Sequence, residues 1–185
     1  MNIFEMVGQL VLGILSKGAE PMVSVSIPLD APVSSSEPAQ PAPIDWTSPD
    51  SHITEHFTVA DGCMLHSWNR LANEMDGFND AAKASIVTLC QKMEEIRALL
   101  GCSINVHCMF RSQQYNQEVV KAIPNDVHAQ SLACDFDCNG NMTIDQVHAK
   151  LEPLLEQLGI RMERNTPTWC HIDLHPVGHA RYFNA

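Results

Sequence analysis

The chain has 185 residues, enough for one domain with a real core plus additional sequence. Hydrophobic residues make up 45%, and the net charge of -11 disfavours nucleic acid or an anionic membrane surface as partner, because both ask for a basic face. Seven cysteines with no CxxC pair argue against a disulfide framework and for folding in a reducing compartment.

Residues 1–18 are largely apolar. Ile3, Val7, Leu10 and Ile14 recur at helical spacing, with Phe4, Val11 and Leu15 beside them, and this predicts an amphipathic helix. The run is too short to span a bilayer, and Glu5 stands where a secretory signal would be basic. Such a helix can dock on a virion, a membrane or another partner, or pack on its own domain; the spacing leaves both open. Residues 19–52 read as a linker, with seven of the eleven prolines, several serines and no Lys or Arg. A flexible segment of that length spans roughly 30 Å.

The folded domain is expected over residues 53–185, with Thr54 to Val59 as an extended lead-in and a short helix between Asp61 and Met75 carrying Leu65, Trp68 and Leu71. Asn79 or Asp80 caps a longer helix, whose stripe is Ile86, Leu89, Cys90, Met93, Ile96 and Leu100 and whose stop is Gly101. Cys102 to Phe110 alternates like a strand. Glu118 to Ile123 is a helical turn, and Leu132 to Phe136 is a second strand. Asn139-Gly140-Asn141 is a tight turn. Thr143 and Gln146 form a capping box for a helix with Val147, Leu151, Leu154, Leu155 and Leu158 inward, ended by Gly159. Ile160 to Met162 and Trp169 to Leu174 are the last strands. This order predicts an α+β fold, a small and mostly antiparallel sheet flanked by helices.

Nine histidines are present, and spacing has to choose among them. His128 lies seven residues before Asp135, across a loop into a strand, while His171 and Asp173 share one strand face. Two histidines and a carboxylate can give zinc three ligands and leave one position open, the arrangement a catalytic zinc needs. Each pair alone is weak, since a single His is more often a surface or core residue than a ligand. Cys134 and Cys138 bracket Asp135, but cysteine is commonly just a small buried apolar residue.

The neighbouring residues sharpen this. Phe110-Arg111-Ser112 with Tyr115-Asn116, then His128 to Asp135, then Trp169-Cys170-His171-Ile172-Asp173, resembles the zinc D-Ala-D-Ala carboxypeptidases and L-alanyl-D-glutamate endopeptidases (the LAS metallopeptidases), and most of all their short bacteriophage members. The likeness covers about residues 53–185. It implies zinc (Zn2+) held by His128, Asp135 and His171. It also implies substrate contacts from Arg111, Ser112, Tyr115 and Asn116, Arg111 offering a fixed fork of charged donors. Three departures stand out. Ser131 replaces a family glycine, and Asp126 a family serine. Several members carry Asp or Glu three residues before the last histidine, where this chain has Thr168. Asp173 and Glu163 are the candidates for the missing general base; Asp173 could instead orient His171.

The resemblance implies zinc-assisted hydrolysis of an amide in the stem peptide of bacterial peptidoglycan, by an endolysin or a virion-associated lysin. Such a protein would reside in the virion or in the host cytoplasm before lysis, and would act on the wall. The alternative is an inactive metal-binding or wall-binding protein that retains the fold. An exported bacterial D,D-carboxypeptidase or dipeptidase is a third reading.

Overall fold

The computed structural model describes residues 43–176, 178 and 180–184. The N-terminal helix, linker residues 19–42 and His179 lie outside them. Among the described residues no helix is long and apolar enough to cross a membrane.

Thr58 opens helix α1 (Val59–Cys63) through a reciprocal box with Asp61. The helix expected between Asp61 and Met75 is replaced by a ribbon of β1 (Met64–Leu65) and β2 (Arg70–Leu71) around a 3-10 turn at His66–Trp68. Asn69 ends that turn in the left-handed region (φ 49), which Asn tolerates better than most residues and which stops a helix from propagating. Leu65, Trp68 and Leu71 still serve the core, but from the ribbon.

Helix α2 (Asp80–Leu100) is capped by the Asn79 side chain and closed by Gly101 at φ 74, and it buries the expected stripe from Ile86 to Leu100. Gly62 lies against it, where an added Cβ would meet Ile86 Cγ2 at 2.8 Å, so α1 approaches α2 as only glycine permits. Strand β3 (Asn105–Cys108) follows. Ser112 then caps α3 (Gln113–Tyr115), which runs on as a π-helical turn over Asn116–Val120, ahead of the turn expected at Glu118 to Ile123.

Strand β4 (Ala133–Asp137) leads by the Asn139-Gly140 turn to α4 (Ile144–Leu151), opened by the Thr143 and Gln146 capping box. The single helix expected through Leu158 is broken by Pro153, which has no N–H to donate and crowds the preceding turn. The chain passes through a 3-10 turn at Glu152–Leu154 into α5 (Leu155–Leu158), closed by Gly159 at φ 68. Strands β5 (Arg161–Glu163), β6 (Cys170–Asp173) and β7 (Tyr182–Phe183) complete the chain.

The five-stranded sheet has the order β3-β4-β6-β5-β7 and is antiparallel except for the β5–β7 pair. This is the expected α+β class. Strand β7 was not expected, because two residues carry no readable period. One face turns Cys134, Phe136, Met162, Cys170 and Ile172 into the core with the α2 stripe. Alternation puts Asp135, Arg161, Glu163, His171 and Asp173 together on the other face. Residues ahead of Ile53 also join the packed body. Ile44 and Trp46 lie against the core, with Trp46 edge-on to Phe78 at 5.4 Å.

Candidate metal centre and its cleft

Strands β4 and β6 are neighbours inside the sheet, each paired on both sides. Their register sets Asp135 opposite His171. The Asp135 carboxylate reaches His171 Nδ1 at 2.6 Å. The third member comes from the loop before β4. There His128 Nδ1 lies 2.8 Å from the Met109 carbonyl, which can only accept, so Nδ1 carries the proton and Nε2 is left as the base. Nε2 faces Asp135 Oδ2 at 3.3 Å.

One ligand-type atom from each of His128, Asp135 and His171 lies within 4.8 Å of the others. A tetrahedral zinc with bonds of about 2 Å holds its ligand atoms roughly 3.3 Å apart. Two imidazole nitrogens and a carboxylate are also a donor set that zinc accepts. The three residues that the resemblance points to therefore fit a zinc ion by position and chemistry.

The surroundings pre-set these groups. His171 Nε2 is backed by Asp173 Oδ2 at 3.7 Å. Asp173 is fully buried, and Arg161 grips it with two hydrogen bonds, Nε to Oδ1 at 2.8 Å and Nη2 to Oδ2 at 2.7 Å. The His175 amide donates to it as well. Burial pushes the Asp173 carboxyl up, but the bonds from His171, Arg161 and that amide outweigh it and hold the group at about 2. Burial opposes the charged form of His171, yet the Asp135 and Asp173 carboxylates raise it to about 9. Burial likewise acts against the Asp135 carboxylate and is outweighed by the two histidines, which hold it far below its usual range.

A cleft of about 300 Å³ opens beside these groups, lined in part by Arg111, Arg161, Glu163, Trp169 and Phe183. Arg111 is tied to Asp126 by Nη2 at 2.9 Å, while its buried Nε has no partner. Asp126 in turn accepts from the Asn116 side chain and the Ala129 amide. The cleft has four carboxylates. Asp126, Asp135 and Asp173 are all engaged by hydrogen bonds, whereas Glu163 has no side-chain partner among the described residues. The β5–β6 register pairs Arg161 with Asp173 and Met162 with Ile172; Glu163, one residue further along β5, lines the same cleft as His171.

Other expected site residues sit differently. Ser112 is buried, and its hydroxyl accepts the Tyr115 amide N–H. The buried Tyr115 hydroxyl accepts from the Ser67 amide and its ring packs edge-on to Trp68. Asn116 is fully buried and donates to Ile123 O, Pro124 O and Asp126 Oδ1. These three side chains were expected to touch substrate; apart from Asn116 Oδ1, which has no partner among the described residues, their polar atoms are used inside the protein, where they brace the wall that carries Arg111 and His128. Thr168 is exposed and does not line the cleft. Sequence reasoning missed Arg161 and the clamping role of Asp126. The signal for Arg161 was the period of β5, where inward Met162 obliges Arg161 and Glu163 to face the other way.

A family model described as Peptidase M15 matches residues 56–173. No curated protein matches the chain. No solved structure matches it either.

Proposed function

Because the chain belongs to the peptidase M15 family, we propose that it is a zinc peptidase that hydrolyses an amide bond in the stem peptide of bacterial peptidoglycan, with Glu163 as its general base. The observation that carries the assignment of the base is the state of the four cleft carboxylates, of which only Glu163 is uncommitted among the described residues.

His128, Asp135 and His171 would hold the ion. When bound, zinc would supply Lewis-acid polarisation of the scissile carbonyl and a water of lowered pKa. The chain's own residues do the rest. Glu163 takes a proton from the attacking water on a carboxylate oxygen and passes it to the leaving amine nitrogen, which closes the proton balance of amide hydrolysis. Arg111, fixed by Asp126, presents its remaining donors to a substrate carbonyl or carboxylate. Asp173, held by Arg161, orients the His171 ring rather than serving as base, since both its oxygens are already engaged.

The finer reading is a lysin of the phage type, supported by the likeness of the three motifs to short phage enzymes and by the proline-rich arm ahead of the domain. In that reading residues 1–15 dock on a virion or membrane and the enzyme reaches the wall from there. A second reading, a wall-binding protein without turnover, is favoured by Thr168 at the position where several family members carry their carboxylate. One experiment separates the two. Purified peptidoglycan is digested with zinc-loaded full-length protein, and with Glu163→Gln and Asp173→Asn, and the products are read by mass spectrometry. New stem-peptide fragments that vanish in Glu163→Gln with zinc retained support the enzyme. Stoichiometric zinc without any fragment would move the assignment to the wall-binding reading.

A further inference from the structure

Beside the metal cleft lies a second cavity of about 380 Å³, walled by Ile123, Val127, Asn125, Gln130, His175 and Arg161. Arg161, Asp126 and Val127 line both spaces, so the two adjoin. The polar lining mixes donors with acceptors, and Arg161 brings its guanidinium to it. Arg161 gives Nε and Nη2 to Asp173, and Nη1 has no hydrogen-bond partner among the described residues. The Asn125 side-chain amide likewise has none among them; only its backbone carbonyl is used, by Gln130 Nε2. His175 Nδ1 donates to the Pro176 carbonyl, so Nε2 of the neutral ring is an acceptor. The single carboxylate in the lining, Asp126, already accepts from Arg111, Asn116 and the Ala129 amide. Ile123 adds an apolar edge that is 71% exposed.

A guanidinium donor and the unpartnered side-chain amide of Asn125, set over an apolar edge, suit a carboxylate on a short aliphatic stem. In a chain of net charge -11, a recess that holds a guanidinium and whose one carboxylate is already tied to Arg111 is a local exception. We propose that this cavity is a second substrate subsite, which binds a side carboxylate of the peptide next to the bond to be cut, with Arg161 Nη1 as its anchor. The inference rests on the peptidase reading for the identity of the peptide, and it deepens that reading by assigning where an acidic residue of the substrate sits. Arg161 then serves two sites at once. It steadies Asp173 behind His171 on one edge and takes the substrate on the other.

The test uses zinc-loaded full-length protein and two short stem-type peptides, identical except that one side carboxylate is free in the first and a carboxamide in the second. Affinity is measured by isothermal titration, and cleavage separately by mass spectrometry. The acid should bind at least about tenfold tighter than the amide, as loss of one charge-assisted hydrogen bond implies. Gln130→Glu and Asn125→Asp, both at the cavity and away from the metal ligands, should erase that preference without changing zinc content. Equal affinities in the unmodified protein, or no binding of either peptide, overturn the subsite. Discrimination without cleavage keeps the subsite and sinks the peptidase reading; cleavage of both peptides at equal affinity does the reverse.

Discussion

Two parts of the cleft are built on opposite principles. The candidate ligand triad draws Asp135 and His171 from the neighbouring inner strands β4 and β6, and its polar atoms are engaged by one another, by Met109 O and by Asp173. The substrate side draws on the loop around residues 111–131 and on β5, and it leaves polar atoms unused: Arg111 Nε, Ser131 Oγ, and the carboxylate of Glu163. The difference teaches how to tell positioning from chemistry in this protein. Groups that must hold an ion are satisfied in advance. Groups that must meet a substrate cannot be, because a saturated carboxylate has no lone pair to offer a proton.

The largest effect should come from breaking the satisfied side. His128→Ala is expected to lose zinc and with it all hydrolysis, by removing one of three ligands. Metal analysis after gel filtration checks it, and unchanged zinc content would defeat the ligand assignment. On the open side, Glu163→Gln should lower kcat by about a hundredfold or more while zinc content and folding stay as they are. A variant that retains most of its turnover would shift the base elsewhere. Asp173→Asn is intermediate. Its effect is expected mainly in zinc affinity, weaker by about tenfold to a hundredfold in a competition titration, with turnover recovered at saturating zinc. Lost turnover at full zinc occupancy would instead mark Asp173 as the base.

A smaller effect is set by pH. Asp173 lies below its ordinary range, at about 2, so its contribution to stability is complete above about pH 4 and is lost as pH falls through about 2. His171 lies above its ordinary range, at about 9, so its contribution is complete below about pH 6.5 and is lost as pH rises through about 9. The metal-free protein should therefore be more stable to urea near neutrality than at about pH 9.5, and zinc, which would be held by the unprotonated His171, should remove most of that slope. Equal slopes with and without zinc would contradict His171 as a ligand. The smallest expected change is a gain. Ser131 sits at φ 60, fully buried, with its hydroxyl unpaired. Ser131→Gly should stabilise the protein by about 1 kcal/mol, the relief of left-handed strain and of an unsatisfied hydroxyl outweighing the added freedom of the unfolded chain. Chemical denaturation measures it.

Much of the fold was legible in the chain. The α2 stripe, the Asn79 cap, the Gly101 and Gly159 stops and the Thr143 capping box are signals written within a few residues of where they act. The ribbon at Met64–Leu71 was not, because three apolar residues at near-helical spacing fit either element until Asn69 turns the chain. Strand β7 escaped because its pairing with β5 is long-range and only two residues long. In the site, His128, Asp135 and His171 were recognisable from the motifs around them. Asp126, Arg161 and the inward turn of Ser112, Tyr115 and Asn116 were not, since a hydrogen bond between distant segments leaves no mark on local sequence.

The amino-acid sequence alone determined the α+β class, the main helices and the identities of the two histidines and the aspartate that the motifs single out. Those follow from periodicity, capping and short-range order, which act within one element. The tertiary structure alone decided which carboxylate is free to act. Asp173 and Glu163 look equivalent on paper, both acidic and both on short strands. Packing β5 between β6 and β7 gives Asp173 to Arg161 and leaves Glu163 open in the cleft it shares with His171. A carboxylate becomes a base or a brace according to what the sheet register sets next to it.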